Sequence, residues 1–293
     1  MDINEYRKLN FDEVKREKEK ILLHFDEFCK KNNIRYSLAY GTLLGAIRHN
    51  GWIPWDDDID VTLLREDYNK LMDLYNNQKE DRFKIVNNDI DNSVSTKIAY
   101  LYDEKTAMKP RNQEYFDDFN AIQIDIYPLD ILPQNRFVEK IFISYTRLLC
   151  LLAVLSDLKP GNPSGSRSKK KIVASYLIYF FMKPFKTSKI IKKHHKVAAK
   201  YSYKYSNKKN SKVTMLSTYL EPLPKINYYD MCDITNVIFN GRYYPALRNY
   251  DKYLTSRYGN YMELPPENKR VAYTFLTEEY YIKKEFYDEL REE

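Results

Sequence analysis

Three aspartates stand at positions from which their carboxylates can act together. Asp58 and Asp60 lie two residues apart in an alternating stretch, so both side chains point to one face of a predicted strand. Asp125 lies on the polar face of a second predicted strand, Ala121–Tyr127, whose other face is isoleucine. If the two strands are neighbours, the carboxylates repel one another unless a cation binds. Oxygen ligands of this kind favour Mg²⁺ or Mn²⁺.

A glycine–threonine pair supplies the complementary part of a phosphoryl-transfer site. Gly41 and Thr42 stand at the start of a helix predicted over Thr42–His49, where free backbone N–H groups and the helix dipole favour a phosphate. Arg48 and Lys97 are candidate phosphate-binding cations. Each feature alone has an ordinary structural explanation, as a solvated strand face, a helix cap or an ion pair. Together, in this order, they favour metal-assisted phosphoryl transfer.

Two further aspartates in the same acidic run rank lower as ligands. Asp56 would fall on the same strand face as Asp58 and Asp60, but it lies close to Pro54, before the regular alternation begins. Asp57 is predicted to point to the opposite face.

The elements that position these residues follow from hydrophobic spacing. Helices are predicted at residues 10–32, 42–49, 66–76, 141–158, 172–182, 189–205, 245–258 and 277–290. Strands are predicted at residues 36–40, 58–63, 83–86, 96–102 and 121–127, the last closed by Pro128, and a loop at 161–168. This irregular alternation predicts an α+β fold with a mixed sheet and flanking helices.

Basic residues are concentrated in one segment. Residues 159–212 contain sixteen Lys and Arg and no Asp or Glu, whereas the remainder has 32 basic against 41 acidic residues. With interleaved Ile, Tyr and Phe, the segment suits an anionic membrane surface; a solvated helical insert and a nucleic-acid interface are the alternatives. We therefore predict a catalytic core over 1–135, a basic, apolar-helical insertion over 136–212 that contacts membrane or acceptor, and a C-terminal part over 213–293 that completes the core.

Targeting signals and cysteines bear on the compartment. Met1 to Lys20 is highly charged and lacks the apolar centre of a secretory signal, and no run of about twenty apolar residues marks a membrane span. Cys29, Cys150 and Cys232 have no metal-ligand spacing and cannot all pair, which favours a reducing environment. We expect a cytoplasmic protein, attached peripherally at the inner face of the cell membrane.

These motifs resemble two nested families. The Gly-Thr turn, the Asp-x-Asp strand and the later aspartate resemble the nucleotidyltransferase fold of the polymerase-β type, although fifteen residues separate Thr42 from Asp58, a longer gap than usual. The longer string YGTLLGAIRHNGWIPWDDDIDV resembles the signature of the LicD family, and further matches lie at 65–68, 124–133, 239–247 and 258–270. The resemblance covers residues 12–135 and 213–270 and carries little into the basic segment.

The resemblance to the LicD family implies an enzyme that takes a phosphoryl-linked group from a CDP-activated donor and places it on a sugar hydroxyl with release of CMP. CDP-choline is the expected donor, and CDP-ribitol, used by related fukutin-type proteins, and CDP-glycerol are alternatives. The implied acceptor is a glycan of lipopolysaccharide or a teichoic acid precursor, and a lipid-linked acceptor would suit the basic segment. Transfer of a nucleoside monophosphate, and a non-enzymatic role as a membrane or nucleic-acid adaptor, are the remaining alternatives.

The resemblance also implies roles for individual residues. The metal-binding and catalytic residues are Asp58, Asp60 and Asp125. For substrate binding the resemblance implies Gly41 and Thr42, and our further candidates are Arg48, Lys97, Trp52 and Trp55. The two tryptophans are candidates for an aromatic cage around a choline group, and packing beneath the acidic turn is the alternative for each.

Overall fold

A computed structural model describes residues 3–76, 82–88, 91, 96–110, 121–157, 169–205, 211–216 and 225–287. The chain divides into two units. The first comprises Met1–Val86, Ala99–Pro128 and Tyr229–Glu293, and the second comprises Asn87–Ile98 and Leu129–Tyr228. The loop predicted at 161–168 lies outside the described residues.

Helices alternate with short strands along the chain. The helices are α1 (Phe11–Lys31), α2 (Tyr40–His49), α3 (Arg65–Asn76), α4 (Arg136–Asp157), α5 (Lys169–Met182), α6 (Thr187–Tyr205), α7 (Tyr250–Tyr258) and α8 (Tyr273–Thr277). The strands are β1 (Tyr6–Lys8), β2 (Ser37–Leu38), β3 (Asp60–Leu64), β4 (Phe83–Val86), β5 (Ala99–Asp103), β6 (Thr106–Pro110), β7 (Gln123–Ile131), β8 (Lys212–Thr214), β9 (Ile226–Asn227), β10 (Ile234–Phe239), β11 (Arg242–Leu247) and β12 (Glu278–Lys283). The predicted α+β class is confirmed.

Helix α1 begins where its sequence predicts because Asn10 and Glu13 form a capping box. The Asn10 side chain accepts a hydrogen bond from the Glu13 N–H at 2.9 Å, and the Glu13 carboxylate accepts one from the Asn10 N–H at 2.7 Å. The apolar face of α1 is buried, with Phe25 packed edge-on against Tyr36 at 4.9 Å between ring centroids.

The central sheet of the first unit has the strand order β2-β3-β7-β5-β4. Strand β2 pairs antiparallel with β3, and β5 pairs antiparallel with both β4 and β7. The Asp125 N–H donates to the Ile59 carbonyl oxygen at 2.8 Å, next to the start of β3. The two strands that carry the predicted aspartates are therefore neighbours.

The boundaries of the two strands that carry the aspartates differ from the prediction. Strand β3 begins at Asp60, so Asp58 lies in the segment before it. Strand β7 does not end before Pro128 but continues to Ile131. Pro128 is tolerated because it lies between the residues that pair with β5 and the residues that pair with β8 in the second unit.

The helix predicted over 245–258 is wrong in its first part. Pro245 lies on β11, opposite Asn236 in an antiparallel hairpin with β10, and the helix α7 starts at Tyr250. Asn240 and Gly241 form the hairpin turn with φ of 47° and 77°. An Asn-Gly pair between apolar runs is a strong hairpin signal, so this hairpin was readable from the sequence.

The helix predicted over 277–290 is also wrong within the described residues. Strand β12 occupies 278–283 and pairs antiparallel with both β1 and β6. Tyr280, Tyr281 and Ile282 are buried there, and aromatic and β-branched residues suit a strand. The local pattern of this segment fits either a helix or a strand, and pairing with two distant strands determines that it forms a strand.

The second unit contains helices α4, α5 and α6. Phe142, Ala198, Leu132 and Leu216 form one buried cluster that joins α4 and α6 to the flanking segments. Near the end of β7, Ser202 donates to Asp130 at 3.0 Å and accepts from the Ile131 N–H at 2.9 Å. Within the described ranges, no helix combines the length and apolar character needed to cross a bilayer.

A buried acidic pair ties α1 to β5. Glu17 and Asp103 are both fully buried, and Arg82 bridges them with ion pairs of 3.0 Å and 2.5 Å. Burial, followed by the hydrogen bond to Asp103 and the charge of that carboxylate, raises the pKa of Glu17 to about 8. The folded state therefore favours the protonated form of the Glu17 side chain.

This pKa predicts a pH-dependent stability. Between the unfolded pKa of about 4.5 and the folded pKa of about 8, the folded state binds more protons than the unfolded state, so the free energy of unfolding falls as pH rises. Glu17→Gln should remove a fall of at least about 1 kcal/mol across this window. Denaturant unfolding from pH 5 to 9 measures it. Glu27→Gln, at an exposed position of α1, is the control and should keep the wild-type slope.

Candidate active site

The three predicted carboxylates lie together in the first unit. Asp60 opens β3, Asp125 lies on the adjacent β7, and Asp58 precedes β3 with its side chain 48% exposed. Thr42 connects α2 to this segment, because its hydroxyl accepts from the Asp60 N–H at 2.8 Å and donates to the Asp58 carbonyl oxygen at 3.4 Å. The site is therefore built where α2, β3 and β7 meet.

A lysine that the sequence reasoning missed stands beside the aspartates. Lys18 of α1 is buried, and its ammonium lies 3.1 Å from Asp58 Oδ1. Burial alone lowers its pKa, but Asp58 and Asp57 outweigh that effect and the pKa of Lys18 is raised. Its spacing from Val14, Ile21 and Leu22 places Lys18 on the apolar face of a predicted helix. This unusual position for a lysine could have identified it from the sequence.

The acidic run itself forms a compact oxygen cluster. Among the described residues, one group of three side chains offers ligand oxygens all within 4.8 Å of one another, and it consists of Asp56, Asp57 and Asp58. Asp57 is buried, and its Oδ2 has no hydrogen-bond partner in the described part of the chain. Asp56 and Asp57, ranked lower from the sequence, thus stand closer to Asp58 than a strict strand alternation predicts.

Burial and mutual repulsion raise the pKa values of this group. Burial, and then the Asp58 charge, raises the pKa of Asp125 to about 7 and that of Asp56 to about 6. Burial, followed by the charges of Asp125, Asp58 and Asp56, raises the pKa of Asp60 well above its usual range. Lys18 opposes all three shifts. The folded protein holds these carboxylates together when protons or cations neutralise part of their charge.

Tyrosines line the same site. Tyr127 donates its hydroxyl hydrogen to Asp125 Oδ2 at 3.1 Å, and its ring lies edge-on to Tyr40 at 5.2 Å. The Arg257 guanidinium lies 5.2 Å from the Tyr40 ring centroid. Burial and the Asp60 charge raise the pKa of Tyr258 to about 12. Neutral hydroxyl groups therefore surround the carboxylates, and Arg257 is the nearby cation on α7.

The first residues of α2 shape the space around Asp56. A Cβ atom on Gly41 would lie 2.4 Å from Asp56 Oδ2, so only glycine leaves room for that carboxylate. Tyr40, just before it, has a φ of 43°, and its backbone N–H donates to the Tyr253 hydroxyl at 3.3 Å. A left-handed conformation at a tyrosine is uncommon and marks a locally strained approach to the site.

Several predicted substrate-binding residues already have protein partners. Arg48 donates to the backbone carbonyl oxygens of Tyr261 and Glu263 at 2.8 and 3.2 Å, which holds the loop after α7. Lys97 belongs to the second unit, where its carbonyl oxygen lies 3.0 Å from His195 Nε2. Their predicted contacts with phosphate stay predictions.

The two tryptophans also have cations against their rings. Trp52 donates from Nε1 to Glu19 at 2.5 Å, and the Lys15 ammonium lies 5.1 Å from its ring centroid. The Arg270 guanidinium lies 5.4 Å from the Trp55 ring centroid. Both rings can attract a positive group, as the aromatic-cage prediction requires, and both already do so within the protein.

Comparison with known proteins finds a family model that matches part of the chain. Residues 33–148 match the family model described as "LicD/FKTN/FKRP, nucleotidyltransferase domain". This chain carries a LicD-family domain. The domain contains every predicted site residue, from Gly41 to Asp125, whereas Lys18, Arg257 and Tyr258 lie outside it.

Relatives of the LicD-family domain differ in how much of the chain they cover. The "Lipopolysaccharide cholinephosphotransferase LicD" of Haemophilus influenzae is 29% identical over 257 residues, which span 84% of this chain and 89% of that protein. An uncharacterised protein of Rickettsia typhi is 34% identical over 110 residues, 38% of this chain and 33% of its own length. An uncharacterised protein of Rickettsia prowazekii is 56% identical over 41 residues, 14% of this chain and 15% of its own length.

The donor chemistry of the LicD-family domain fits a divalent metal ion. Asp56, Asp57 and Asp58 offer clustered carboxylate oxygens, and the buried Oδ2 of Asp57 has no partner among the described residues. Hard oxygen ligands are those that Mg²⁺ and Mn²⁺ prefer. Asp60 and Asp125, on adjacent strands, add further negative charge to the same site.

Replacing either of two glycines of α2 by alanine should have different effects, one on metal binding and the other on stability. Gly41→Ala should displace only the Asp56 carboxylate, because the clash is with a side-chain end, and should weaken Mn²⁺ binding about tenfold or more at nearly unchanged stability. Gly45→Ala places a Cβ 2.4 Å from the Gly51 carbonyl oxygen, so it should lower stability. Electron paramagnetic resonance titration and thermal melting measure the two effects. Unchanged Mn²⁺ affinity in Gly41→Ala would exclude Asp56 from the cation site.

Loss of the buried lysine should make stability depend on divalent cations. Lys18→Met leaves the carboxylates without their internal counter-charge, so the melting temperature without metal should fall by about 5 °C or more. Added Mg²⁺ should restore most of that loss, while Lys20→Met on the same helix should show no such rescue. A Lys18→Met protein that melts identically with and without Mg²⁺ would contradict this account of Lys18.

Proposed function

We propose that this protein is a metal-dependent phosphotransferase that moves phosphocholine from CDP-choline to a sugar hydroxyl and releases CMP. The proposed acceptor is a glycan of lipopolysaccharide or a teichoic acid precursor. The proposal includes a nucleotidyltransferase fold for the catalytic core.

The observation that carries the proposal is the half-buried carboxylate cluster within the LicD-family domain. Asp60 and Asp125 are held on neighbouring strands with Asp58 beside them. Burial, and then nearby carboxylate charges, raises the pKa values of Asp60 and Asp125. Grouping charged carboxylates in this way raises the free energy of the folded protein unless a cation binds to them. The similarity to the Haemophilus influenzae cholinephosphotransferase along most of both chains supports the choice of reaction.

The residues assigned to a divalent ion are Asp58, Asp60 and Asp125, with Asp56 and Asp57 as further ligands from the acidic run. When bound, Mg²⁺ or Mn²⁺ would neutralise charge on the donor diphosphate and on the departing CMP. The backbone N–H groups of Gly41 and Thr42, at the start of α2, would donate to phosphate oxygens. Arg257 is a further cation on this side of the site.

The chain's own residues provide for the proton of the acceptor. The acceptor hydroxyl oxygen attacks the distal phosphorus, the bond from that phosphorus to the CMP oxygen breaks, and the hydroxyl proton passes to Asp125. Tyr127 donates a hydrogen bond to Asp125 Oδ2 and fixes the direction of the carboxylate. Asp125, held in this way, is the proposed general base.

A polyol donor is the second candidate. The Trp52 and Trp55 rings each already face a protein cation, Lys15 or Arg270, which leaves less aromatic surface for choline. The family description also includes FKTN and FKRP. CDP-ribitol or CDP-glycerol would need hydroxyl partners rather than an aromatic cage.

A donor panel tests the reaction. Purified protein with Mg²⁺ is incubated with CDP-choline, CDP-ribitol or CDP-glycerol, and with lipopolysaccharide or teichoic acid precursors as acceptors. CMP release together with labelled phosphocholine on the acceptor is the expected result. Diphosphate release would indicate nucleoside monophosphate transfer. No turnover of any donor would favour the adaptor alternative.

The carboxylates should be individually required in that assay. Asp58→Asn, Asp60→Asn and Asp125→Asn should each lower CMP release at least about a hundredfold, because each removes charge that positions the cation or accepts the proton. Asp73→Asn, at an exposed position of α3, is the matched control and should retain wild-type turnover. Full activity in Asp58→Asn would overturn the assignment of the site.

A further inference from the structure

One face of α4 is apolar and open to solvent. Phe137, Ile141, Tyr145 and Leu148 recur at three- and four-residue spacing, which places them on one stripe, and Phe137 is 72% exposed. The opposite face of α4 is buried through residues such as Phe142. The helix is therefore covered on one side only within the described residues.

The end of α5 and the turn after it continue this character. Tyr176, Leu177, Phe180, Phe181 and Phe185 are all exposed, with Phe180 at 72% and Phe181 at 69%. A helix that is apolar on all sides is ordinarily buried. Contiguous exposed apolar groups of this kind mark an interaction surface.

Lysines border the apolar residues. Lys183, Lys186 and Lys189 are exposed in the turn and at the start of α6, and the Lys193 ammonium lies 5.9 Å from the Tyr145 ring centroid. A cavity of about 370 Å³ opens between α4 and this turn. Its lining is Leu149, Leu152, Met182, Pro184, Phe185, Lys186, Lys189, Ile190 and Lys193. The cavity thus combines an apolar floor with a basic rim.

We infer that this surface, the exposed face of α4 together with residues 176–193, docks on the anionic headgroups of a lipid bilayer. The aromatic and aliphatic side chains enter the interfacial layer, and the lysines remain among the lipid phosphates. Residues 159–212 contain sixteen Lys and Arg residues and no Asp or Glu, so the segment complements a negatively charged lipid surface. Membrane docking does not depend on the proposed reaction, because the experiment measures binding to vesicles and not catalytic turnover.

A bilayer explains the composition better than a protein partner. Protein–protein interface cores are depleted in lysine, whereas interfacial helices combine Lys or Arg with Phe and Leu. A symmetric contact between two copies would bring Lys183, Lys186 and Lys189 close to the same lysines of the second copy. Like charges with no acidic residue among them oppose that arrangement.

Vesicle flotation with the full chain tests the docking surface. The protein should float with phosphatidylcholine vesicles that contain phosphatidylglycerol and should not float with pure phosphatidylcholine. Phe180→Ser with Phe181→Ser should weaken partition about tenfold or more. Lys183→Gln with Lys186→Gln should weaken it roughly 25-fold at low salt, since each lysine near an anionic surface contributes about fivefold. High salt should abolish the difference between the lysine variant and the wild type.

Matched controls come from exposed residues of the first unit. Tyr243→Ser with Leu276→Ser removes a similar exposed apolar area and should leave flotation unchanged. Sedimentation without lipid tests the alternative occupant, a second copy. Flotation of the Phe180/Phe181 variant at the wild-type level would overturn the inference, and so would a lipid-free dimer that the same substitutions convert to a monomer. Thermal melting verifies that each variant is folded.

Discussion

The grouping of several partly buried carboxylates in one place is the constraint on which the first unit depends. Asp60 and Asp125 lie on adjacent strands, where lost hydration and mutual repulsion raise the free energy of their charged forms. Lys18 supplies a counter-charge from α1, and this explains a lysine on the buried face of that helix. Gly41 leaves space for a further carboxylate. Helix, turn and sheet are thus arranged around charge as well as around apolar packing.

Local patterns predicted several elements whose determinants lie close together in the sequence, although the Asn240-Gly241 hairpin was missed. Helix α1 has its cap, its apolar face and its end within about twenty residues, and β4 matched its predicted bounds. Strand β12 was wrongly predicted as helix because its partners, β1 and β6, lie far away in sequence. Pairing between distant strands leaves no periodic signature in the segment itself.

The candidate site was likewise predictable only in part from the sequence. Alternation around Asp58 and Asp60 predicted a shared strand face, but β3 begins only at Asp60. The strands that carry Asp60 and Asp125 are neighbours, as the sequence analysis supposed. No pattern reveals whether a cation such as Arg48 points at a ligand or, as here, donates to carbonyl oxygens of its own chain. Residue types alone indicated metal-assisted phosphoryl chemistry, and the choice of donor depended on family resemblance.

The acidic site collects residues from widely separated parts of the chain, and this has a consequence for its assembly on the ribosome. Lys18 and Asp58 emerge before Tyr258 and Glu278, which follow Lys18 by more than two hundred residues and whose pKa values also respond to the acidic run. Strand β1 likewise waits for β12 before it can pair. The contacts that complete this charged site and its neighbouring sheet therefore form only after residues as late as Tyr258 and β12 have been synthesised.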